Sequence, residues 1–390
     1  MIDLVCFGNL APNTIGCGVI FRSLVKDLDQ SGQLGRFYVL VYEMTKDEYP
    51  AVVEPIPQSK NVQRAINRVF GLFRAGYYIR RGIQERLFDF CLTKRFGKSF
   101  GSKILFSHES FPLSVREANR QGSQTYLLAP VPHCDVVRDL VVQEQERMGL
   151  GFLNDSYTSE FRLSRMRDFY AHVDHILTGC PVMQRSFIAQ GLGDKVISLS
   201  YHAGIELETI TENRADPATF RVFYTAHTQL LKGLPYLLEA WQKLSLQHAE
   251  LVIAGTISDD VKGIIKARYA SVPNVIYAGH VKDVWEYYRT SHLFACPSLM
   301  DGGPRTVWEA IACHTPVLAT VNCGASDVLR DYQNGFVVPI CDAEAIAERI
   351  LYLYEHRDEG KSMSERALIS AKKYSLDILS QKIILALLES

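Results

Sequence analysis

The amino-acid sequence predicts an α/β protein built from two doubly wound parallel sheets. The chain has 390 residues, and at roughly 150 residues per domain that length is enough for two hydrophobic cores. Short apolar runs alternate with longer stretches whose apolar residues recur at helical spacing, which is the pattern of parallel strands joined by helices. The alternation pauses around Asp216-Pro217 and then restarts. We therefore expect two such domains, divided near residues 205–217.

The predicted strands are the short apolar runs, taken in order along the chain. In the first half they are residues 2–7, 37–42, 103–107 and 125–129, with a helix over residues 19–30 after the first strand. In the second half they are residues 220–225, 249–254, 274–277, 293–296, 317–320 and 335–338. Ligands of doubly wound sheets bind beyond the carboxyl ends of the strands. The residues that directly follow each strand are therefore the candidates for function.

Composition excludes several classes of protein. With 47% hydrophobic and 22% charged residues, the chain is not disordered, collagen-like or a coiled coil. Its 42 Lys and Arg nearly balance its 43 Asp and Glu, so the overall charge indicates no nucleic-acid partner. Residues 310–326, an uncharged stretch, contain proline, histidine and asparagine and are not expected to span a membrane. No secretory segment opens the chain and the nine cysteines show no metal-binding spacing, so we expect a reducing, cytoplasmic location.

Residues 60–103 form a basic segment with aromatic residues interleaved. The segment has eleven basic residues against two acidic ones, Glu85 and Asp89, a net charge of +9. One interpretation is the solvated face of long helices. The other is a surface for anionic lipid at the inner face of a membrane, or for an acceptor that carries pyrophosphate. Both interpretations remain open from the sequence.

Two glycines, Gly16 and Gly18, precede the first predicted helix. Glycines at a helix N-terminus allow backbone N–H groups to approach a phosphate. The same position opens the dinucleotide site of NAD-dependent oxidoreductases, where Glu43 would bind the ribose. That fingerprint requires a further glycine at position 21, which is Phe21 here. A nicotinamide-dependent oxidoreductase is therefore kept as an alternative.

The loop after predicted strand 220–225 contains His227 and Lys232 and ends at Gly233, where a helix begins. A cation at the carboxyl edge of a parallel sheet suits a pyrophosphate group. The sequence therefore predicts an anion-binding lysine in the second domain.

Two carboxylates follow predicted strand 293–296. Asp301 lies in the loop and Glu309 lies about one turn inside the next helix. Carboxylates accept hydrogen bonds from adjacent hydroxyls, so this pair could bind two different sugars. The glycine turn and the start of the helix consist of Gly302, Gly303, Arg305, Thr306 and Val307.

These motifs are similar to those of the retaining glycosyltransferases of family 4, which have the two-domain GT-B fold. Asp301 and Glu309, with seven residues between them, resemble the acidic pair of that family, and Lys232-Gly233 resembles its lysine-glycine motif. Residues 204–206 resemble its interdomain Gly-Val-Asp. The resemblance is diffuse in the first half and covers nearly everything from about residue 160 onward.

The resemblance implies two domains with different binding roles that face each other across a cleft. Residues 1–205 would form the acceptor-side domain and residues 206–372 the nucleotide-sugar donor domain, with residues 373–390 as a helix that crosses back to the first domain. Glu309 would bind the ribose, Asp301 with Gly302 and Gly303 the donor sugar, and Lys232 with Thr306 the pyrophosphate. Gly16 and Gly18 would face them across the cleft, and His133 would lie near the transferred sugar as a catalytic residue beside Asp301.

The sequence departs from the family pattern in two places. The arginine that usually accompanies the motif lysine is replaced by His227 and Leu231. Arg305 would then compensate at the pyrophosphate. The family's Glu-Gly-Phe-Gly loop reads Asp-Gly-Gly-Pro over residues 301–304, with a shorter acid and a proline that lacks an N–H group.

The expected activity is transfer of a sugar, with retention of configuration, from a UDP- or GDP-sugar to an acceptor hydroxyl in glycan, polysaccharide or glycolipid biosynthesis. We expect no cofactor and no metal, because Asp27 and Asp29, the one D-x-D pair, lie within a predicted helix and do not face each other. Besides the oxidoreductase, two alternatives stay open: a sugar-binding relative without catalysis and a nucleotide-sugar epimerase of the same fold.

Overall fold

The computed structural model describes residues 1–9, 17–41, 53–55, 77–95, 101–199, 212–227 and 229–389. Several sequence predictions lie outside these ranges: those for Gly16, for Glu43, for residues 204–206 and for much of the basic segment 60–103. Within the described residues the fold has two parallel sheets, one in each half of the chain. The predicted fold class is confirmed.

The first sheet has seven parallel strands in the order β3-β2-β1-β4-β5-β6-β7. They are β1 Ile2–Asn9, β2 Leu34–Val41, β3 Val53–Pro55, β4 Lys103–Phe106, β5 Gln124–Leu128, β6 His175–Thr178 and β7 Val196–Ser198. Both faces of the sheet are covered, because Val5 of β1 belongs to one apolar core while its neighbours Leu4 and Cys6 belong to another. Alternating burial on two faces is typical of doubly wound sheets.

The second sheet has six parallel strands in the order β10-β9-β8-β11-β12-β13. They are β8 Phe220–Thr225, β9 Ala249–Ala254, β10 Val275–Gly279, β11 Leu293–Cys296, β12 Val317–Thr320 and β13 Phe336–Val338. All four residues of β11 are buried, as expected for a central strand with helices on each side. The strands predicted in this half agree with these bounds to within two residues at either end.

The helices of the first half, in chain order, are α1 Cys17–Gln30, α2 Tyr77–Arg95, α3 Pro112–Arg120, α4 Cys134–Met148, α5 Glu160–His172 and α6 Pro181–Ile188. Those of the second half are α7 Leu234–Leu244, α8 Asp259–Ile264, α9 Val284–Arg289, α10 Arg305–Ala312, α11 Ala343–Glu355, α12 Arg357–Ala371 and α13 Leu376–Glu389. No helix among the described residues has the length and the apolar character that crossing a bilayer requires.

Each sheet reverses its strand order at one point. The reversal lies between β1 and β4 in the first sheet and between β8 and β11 in the second. At such a switch point the two neighbouring connections leave the sheet on opposite sides, which opens a crevice where ligands bind. The loops after β4, β8 and β11 therefore hold the residues most favourably placed for function.

The last helix, α13, packs against α1 of the first half. Leu379, Ile383 and Leu387 recur every four residues along α13 and are buried in the same core as Phe21 and Leu24 of α1. The Ser380 hydroxyl also donates a hydrogen bond to the carboxylate of Asp27. This aspartate of the D-x-D pair therefore has a helix-packing role.

The two halves also meet through α4 and α7. The Tyr236 hydroxyl of α7 lies 2.7 Å from Oε1 of Glu144, a buried residue of α4. The Arg147 guanidinium approaches the same hydroxyl at 3.1 Å, and Arg268 donates to the Met148 carbonyl oxygen at 2.9 Å. These contacts hold the carboxyl edges of the two sheets on either side of one cleft.

Candidate functional site

The loop after β8 and the loop after β11 lie directly against each other. The Leu299 N–H group donates to the Leu231 carbonyl oxygen at 2.9 Å. Gly233 has a φ of 68°, and a Cβ atom at this position would lie 1.9 Å from the Pro297 carbonyl oxygen. A residue with a side chain would strain the backbone and collide with the neighbouring loop. The glycine after Lys232 is therefore required for this close approach.

Lys232 and Asp301 form an ion pair across the two loops. The Lys232 Nζ atom lies 2.5 Å from Oδ2 of Asp301, and the two side chains are 25% and 16% exposed. Burial lowers the pKa of Lys232, but the adjacent Asp301 carboxylate more than offsets that effect, so the pKa is well above its usual range. The lysine is therefore fully charged at neutral pH.

The Asp301 loop is held by the segment after β12. The Asp301 N–H group donates to the Asn322 carbonyl oxygen at 3.0 Å, and the Gly324 N–H group donates to the Asp301 carbonyl oxygen at 2.8 Å. The Gly303 N–H group donates to Oδ1 of Asp301 at 3.3 Å. One carboxylate oxygen thus contacts the turn and the other contacts the lysine, which fixes the direction of the carboxylate.

Gly302 lies where the second half meets the first. A Cβ atom on Gly302 would be 2.9 Å from the Met183 sulfur atom of α6. The Gly302 carbonyl oxygen accepts a hydrogen bond from the Cys180 thiol at 3.1 Å. On the other side of the loop, a Cβ atom on Gly324 would be 2.3 Å from the same carbonyl oxygen. The predicted sugar-binding loop is therefore packed between the Met183 side chain and the turn at Gly324, and the contact at Gly324, which is with backbone, requires glycine.

Glu309 of α10 has two partners, one on another helix. Its Oε2 atom accepts a hydrogen bond at 3.0 Å from the hydroxyl of Tyr288, a buried residue of α9. Its Oε1 atom lies 3.3 Å from Nε of Arg305 one turn earlier on α10. Burial and the Glu309 carboxylate raise the pKa of Tyr288 well above its usual value. Arg305 is thus beside Glu309 in this structure.

The start of α10 offers backbone donors. The Val307 N–H group, at a position predicted to bind the donor, donates to the Pro304 carbonyl oxygen at 3.1 Å in this structure, and its contact with a donor stays a prediction. The amides of Arg305 and Thr306 lack intrahelical partners because of their positions in the first turn. No described side chain caps this helix end, and amides at this position are the groups through which a helix start can bind an anion.

A cavity of about 460 Å³ brings several predicted residues together. Lys232, Asp301, Gly302 and His227 line it from the second half, and Gly18 lines it from the first. The exposed His227 ring lies with Nδ1 2.5 Å from the Thr256 hydroxyl oxygen. The volume is in the range of small-molecule sites, which lie at domain junctions of this kind.

His133 is not among the residues that line this cavity. Its side chain is 4% exposed, and its Nδ1 atom accepts from the Asp135 N–H group at 3.2 Å, capping α4. Its ring lies 4.7 Å from that of Tyr170 and 5.5 Å from that of Phe187. Burial lowers the pKa of His133 to about 4, so the ring is neutral and its proton is on Nε2. Its neighbours Pro132 and Cys134 line the cavity, while its own contact with a sugar remains a prediction.

A second group of residues near the end of β4 was not predicted from the sequence. His108 and Glu109 line the cavity, as do Arg81 of α2 and Arg162 of α5. Glu85 of α2 lies 2.9 Å from both guanidinium groups. Burial raises the pKa of Glu85, but charged neighbours, including Arg162 and Arg81, lower it to about 2 overall. His108 and Glu109 could have been predicted as candidates, because they directly follow predicted strand 103–107.

Most of the described part of the basic segment is helix α2, whose inner and outer faces differ. Its two acidic residues face inward: Glu85 pairs with Arg162, and Asp89 lies 2.6 Å from Arg165 of α5. Its outer face exposes Arg86, Phe90 and Lys94. The basic side chains that remain outside therefore stand beside an exposed aromatic ring.

Comparison with known proteins agrees with the fold and with the second half of the chain. Residues 208–369 match the family described as "Glycosyl transferases group 1". EpsD of Bacillus subtilis, which is named as a glycosyltransferase, is 26% identical over 159 residues, 40% of this chain and 42% of EpsD. CapM of Staphylococcus aureus, named as a capsular polysaccharide biosynthesis glycosyltransferase, is 27% identical over 176 residues, 44% of this chain and 45% of CapM. The chain thus matches less than half of the length of these relatives.

A solved structure extends the similarity of fold to the whole chain. Anabaena HepE, in complex with UDP and glucose, matches with a TM-score of 0.67 at 13% sequence identity. The match covers 100% of this chain and 99% of HepE. The resemblance seen in the sequence is therefore confirmed: residues 208–369 are similar to the group 1 glycosyltransferases, and the two halves have the GT-B fold.

Proposed function

We propose that this chain, a GT-B protein with a group 1 glycosyltransferase domain over residues 208–369, transfers a sugar from a nucleoside-diphosphate donor to an acceptor hydroxyl. The observation that carries the proposal is the Lys232–Asp301 pair at the switch point of the second sheet. A charged ammonium group and a fixed carboxylate there line one cavity. They match a donor in which a sugar is attached to pyrophosphate.

Binding of the donor would change the contacts of Lys232 and Asp301. An ammonium group has three donors, so Lys232 can contact a pyrophosphate oxygen while its bond to Asp301 is lost or shared. The Asp301 carboxylate then becomes free to accept from hydroxyls of the donor sugar. The amides of Arg305 and Thr306, with the positive end of the α10 dipole, would bind the same phosphates. Stabilising the leaving pyrophosphate in this way lowers the barrier to transfer.

Glu309 is proposed to bind the ribose. Its carboxylate is oriented by the Tyr288 hydroxyl at 3.0 Å, and a carboxylate retains lone pairs for the two ribose hydroxyls after accepting one bond. Tyr288 is itself fixed between rings, with Phe223 and Phe294 at 5.2 and 5.3 Å. Arg305 can turn from Glu309 toward the pyrophosphate when the ribose is bound.

The UDP bound to HepE and the role in capsular polysaccharide synthesis named for CapM support a UDP-sugar donor and a glycan or lipid-linked acceptor for this chain. A GDP-sugar remains the second candidate class of donor. We propose retention of configuration, as implied by the similarity to family 4, and action without a cofactor. Domain contacts such as Glu144–Tyr236 would exclude water from the closed site.

We also propose that the leaving group is neutralised by Lys232 and the α10 start rather than by a divalent cation. Among the described residues, one group of side chains has the spacing of a metal site, His133, Cys134 and Asp135. Asp135 already lies 2.6 Å from the Arg167 guanidinium, and all three residues are at the cap of α4. This group does not serve the pyrophosphate.

The alternatives differ from this proposal in specific residues. For an NAD-dependent oxidoreductase, position 21 would have to approach a pyrophosphate, whereas Phe21 is buried in the core of α1. A sugar-binding relative without catalysis would bind the donor and leave it intact. An epimerase would convert the donor sugar without an acceptor.

A cytoplasmic location at the inner face of the membrane stays a prediction. The exposed Arg86, Phe90 and Lys94 of α2 would supply part of the surface for anionic lipid. Co-sedimentation with vesicles rich in phosphatidylglycerol at low salt tests it, with neutral vesicles as the control. Equal recovery with both kinds of vesicle would contradict membrane binding.

The test of the function is release of the nucleoside diphosphate from UDP-glucose, UDP-galactose, GDP-mannose and ADP-glucose, with and without a chelator. We expect one donor class to be cleaved, equally with the chelator, and the Glu309→Gln variant to cleave it far more slowly. Glu348→Gln is the matched control, because Glu348 also contacts a tyrosine hydroxyl and an arginine but is exposed. The product anomer, measured by proton NMR, tests retention. An intact donor in every case would favour the sugar-binding relative.

A further inference from the structure

A buried carboxyl group in the cleft has no hydrogen-bond partner among the residues that the structure describes. Glu109, which follows β4, is 1% exposed. Neither of its carboxyl oxygens has a hydrogen-bond partner among the described residues. Removing a carboxyl group from water without replacing its hydrogen bonds is costly. A native structure that retains such a group usually uses it for a ligand or a reaction.

The neighbours of Glu109 are polar but otherwise engaged. Nδ1 of His108 lies 3.9 Å from Oε2 of Glu109, which is beyond hydrogen-bond distance, and this nitrogen is also unpaired among the described residues. The Arg162 guanidinium binds Glu85 instead, and the Arg81 guanidinium binds both Glu85 and, at 3.1 Å, Nε2 of His108. Burial raises the pKa of Glu109 to about 7, although its own backbone N–H and Arg162 oppose the rise. Burial likewise lowers the pKa of His108 to about 3, which leaves the ring neutral.

Glu109 and His108 line the same cavity as Lys232 and Asp301, but from the first sheet. They follow β4, and β4 adjoins β1 at the switch point of that sheet. The cavity wall also includes apolar side chains of the first half, among them Phe7, Val131 and Met166. A ligand in this part of the cavity therefore lies against an apolar wall and beside two residues whose polar atoms are unpaired among the described residues.

We propose that Glu109 and His108 form a subsite for adjacent hydroxyl groups of a neutral sugar unit, which is the acceptor if the proposed function is correct. A carboxyl group binds two hydroxyls in one plane. The neutral His108 ring supplies one more donor at Nδ1, because its Nε2 atom already accepts from the Arg81 guanidinium at 3.1 Å. An anionic group would be repelled by Glu109 in its ionised form. A metal ion would meet the nearby cations Arg81 and Arg162. Neutral hydroxyls are the chemistry that satisfies every unpaired atom here.

The subsite predicts opposite effects of one substitution on stability and on binding. In Glu109→Leu the unpaired carboxyl group is replaced by an apolar side chain of similar size, so the unliganded protein should melt at a higher temperature. The same change removes the hydroxyl partner, so sugar affinity should fall at least tenfold. Glu146→Leu is the control, because Glu146 is an exposed residue of α4, and it should retain sugar binding.

The experiment is saturation-transfer difference NMR on the full chain with the methyl glycosides of glucose, galactose, mannose and N-acetylglucosamine, each at millimolar concentration. We expect the unmodified chain and Glu146→Leu to give signals with at least one glycoside and Glu109→Leu to give none. If Glu109→Leu does not fold, Val131→Phe, which fills the cavity from a loop, should abolish the same signals. No signal with the unmodified chain, or equal signals with the cavity variants, would overturn the proposal.

A parallel titration with UDP, GDP and ADP separates this subsite from the proposed function. Glycoside binding that depends on Glu109, without binding of any nucleotide, would support the subsite and contradict the nucleotide-sugar transferase. Nucleotide binding without glycoside binding would contradict the subsite and leave the transferase in place.

Discussion

The close packing of two loops at Gly233 gives a quantitative prediction. In Gly233→Ala the new Cβ atom would lie 1.9 Å from the Pro297 carbonyl oxygen, at a φ of 68°. The left-handed conformation costs alanine about 1–2 kcal/mol, and forcing an extra methyl group into packed backbone costs about 1–3 kcal/mol more. We therefore expect unfolding of the second domain to lose about 2–5 kcal/mol, a fall in melting temperature of roughly 4–20 °C for a domain of this size.

Gly279→Ala is the matched control for this substitution. Gly279 has a φ of 63° in the same domain, and a Cβ atom there would meet nothing within 4 Å. It should therefore show the conformational cost alone, about 1–2 kcal/mol. Calorimetric melting of the two variants measures the difference, which is the cost of separating the loops. Equal shifts would refute the inference that contact between the loops requires glycine at position 233.

The same molecule yields three further predictions. Tyr288→Phe removes the 3.0 Å bond to Glu309 and should weaken nucleoside-diphosphate binding about fivefold to tenfold, as calorimetry would show; unchanged affinity would mean that Glu309 does not need this partner. Arg305→Ala should weaken the same binding at least about tenfold, roughly 1.4 kcal/mol, if Arg305 takes the place of the missing arginine near Lys232. Because burial raises the pKa of Glu109 to about 7, this buried group destabilises the folded state least at acidic pH, where it is protonated, and its cost grows as the pH rises from about 4.5 to 7. The melting temperature of Glu109→Leu relative to the unmodified chain should therefore rise across this interval, and a constant difference would show that Glu109 does not titrate there.

The parts of the fold that the sequence could predict are those with strong periodicity. Strands such as Phe220–Thr225 and Leu293–Cys296 are continuous apolar runs because both faces of the sheet are covered. The edge strand Val53–Pro55 was not predicted, because three residues that end in a proline are too few to show an alternation of apolar and polar residues. The strand at Leu34–Val41 begins three residues earlier than expected, since Gly35 and Arg36 interrupt its apolar pattern.

The site was predictable where chemistry follows a strand directly. Lys232 and Asp301 were identified in this way, and they are 2.5 Å apart in the structure. The partner of Glu309 was not identified, because Tyr288 lies on a separate helix and only the folded chain brings it there. His133 follows a strand as well, yet its ring caps α4, because the direction of a side chain depends on packing that no sequence pattern contains.

Glu109 is the clearest example of a residue whose importance the sequence does not reveal. The strand-end rule points to His108 and Glu109, but a carboxylate after a strand is ordinarily solvated. Its significance comes from 1% exposure and from two oxygens that are unpaired among the described residues, and both properties depend on how the folded chain packs around it. Burial of a charged group is a tertiary property, and composition does not indicate it.

The pyrophosphate site is best tested by calorimetric titration of the full chain with UDP, GDP, ADP and NAD, repeated on Lys232→Met. The control is Lys262→Met, because Lys262 also pairs with an aspartate, at 2.8 Å, but on the exposed surface of α8. We expect one nucleoside diphosphate to bind with micromolar affinity to the unmodified chain and to Lys262→Met, and at least about tenfold more weakly to Lys232→Met. Binding of NAD alone, or equal nucleotide affinity in the two lysine variants, would contradict a pyrophosphate site built on the Lys232–Asp301 pair.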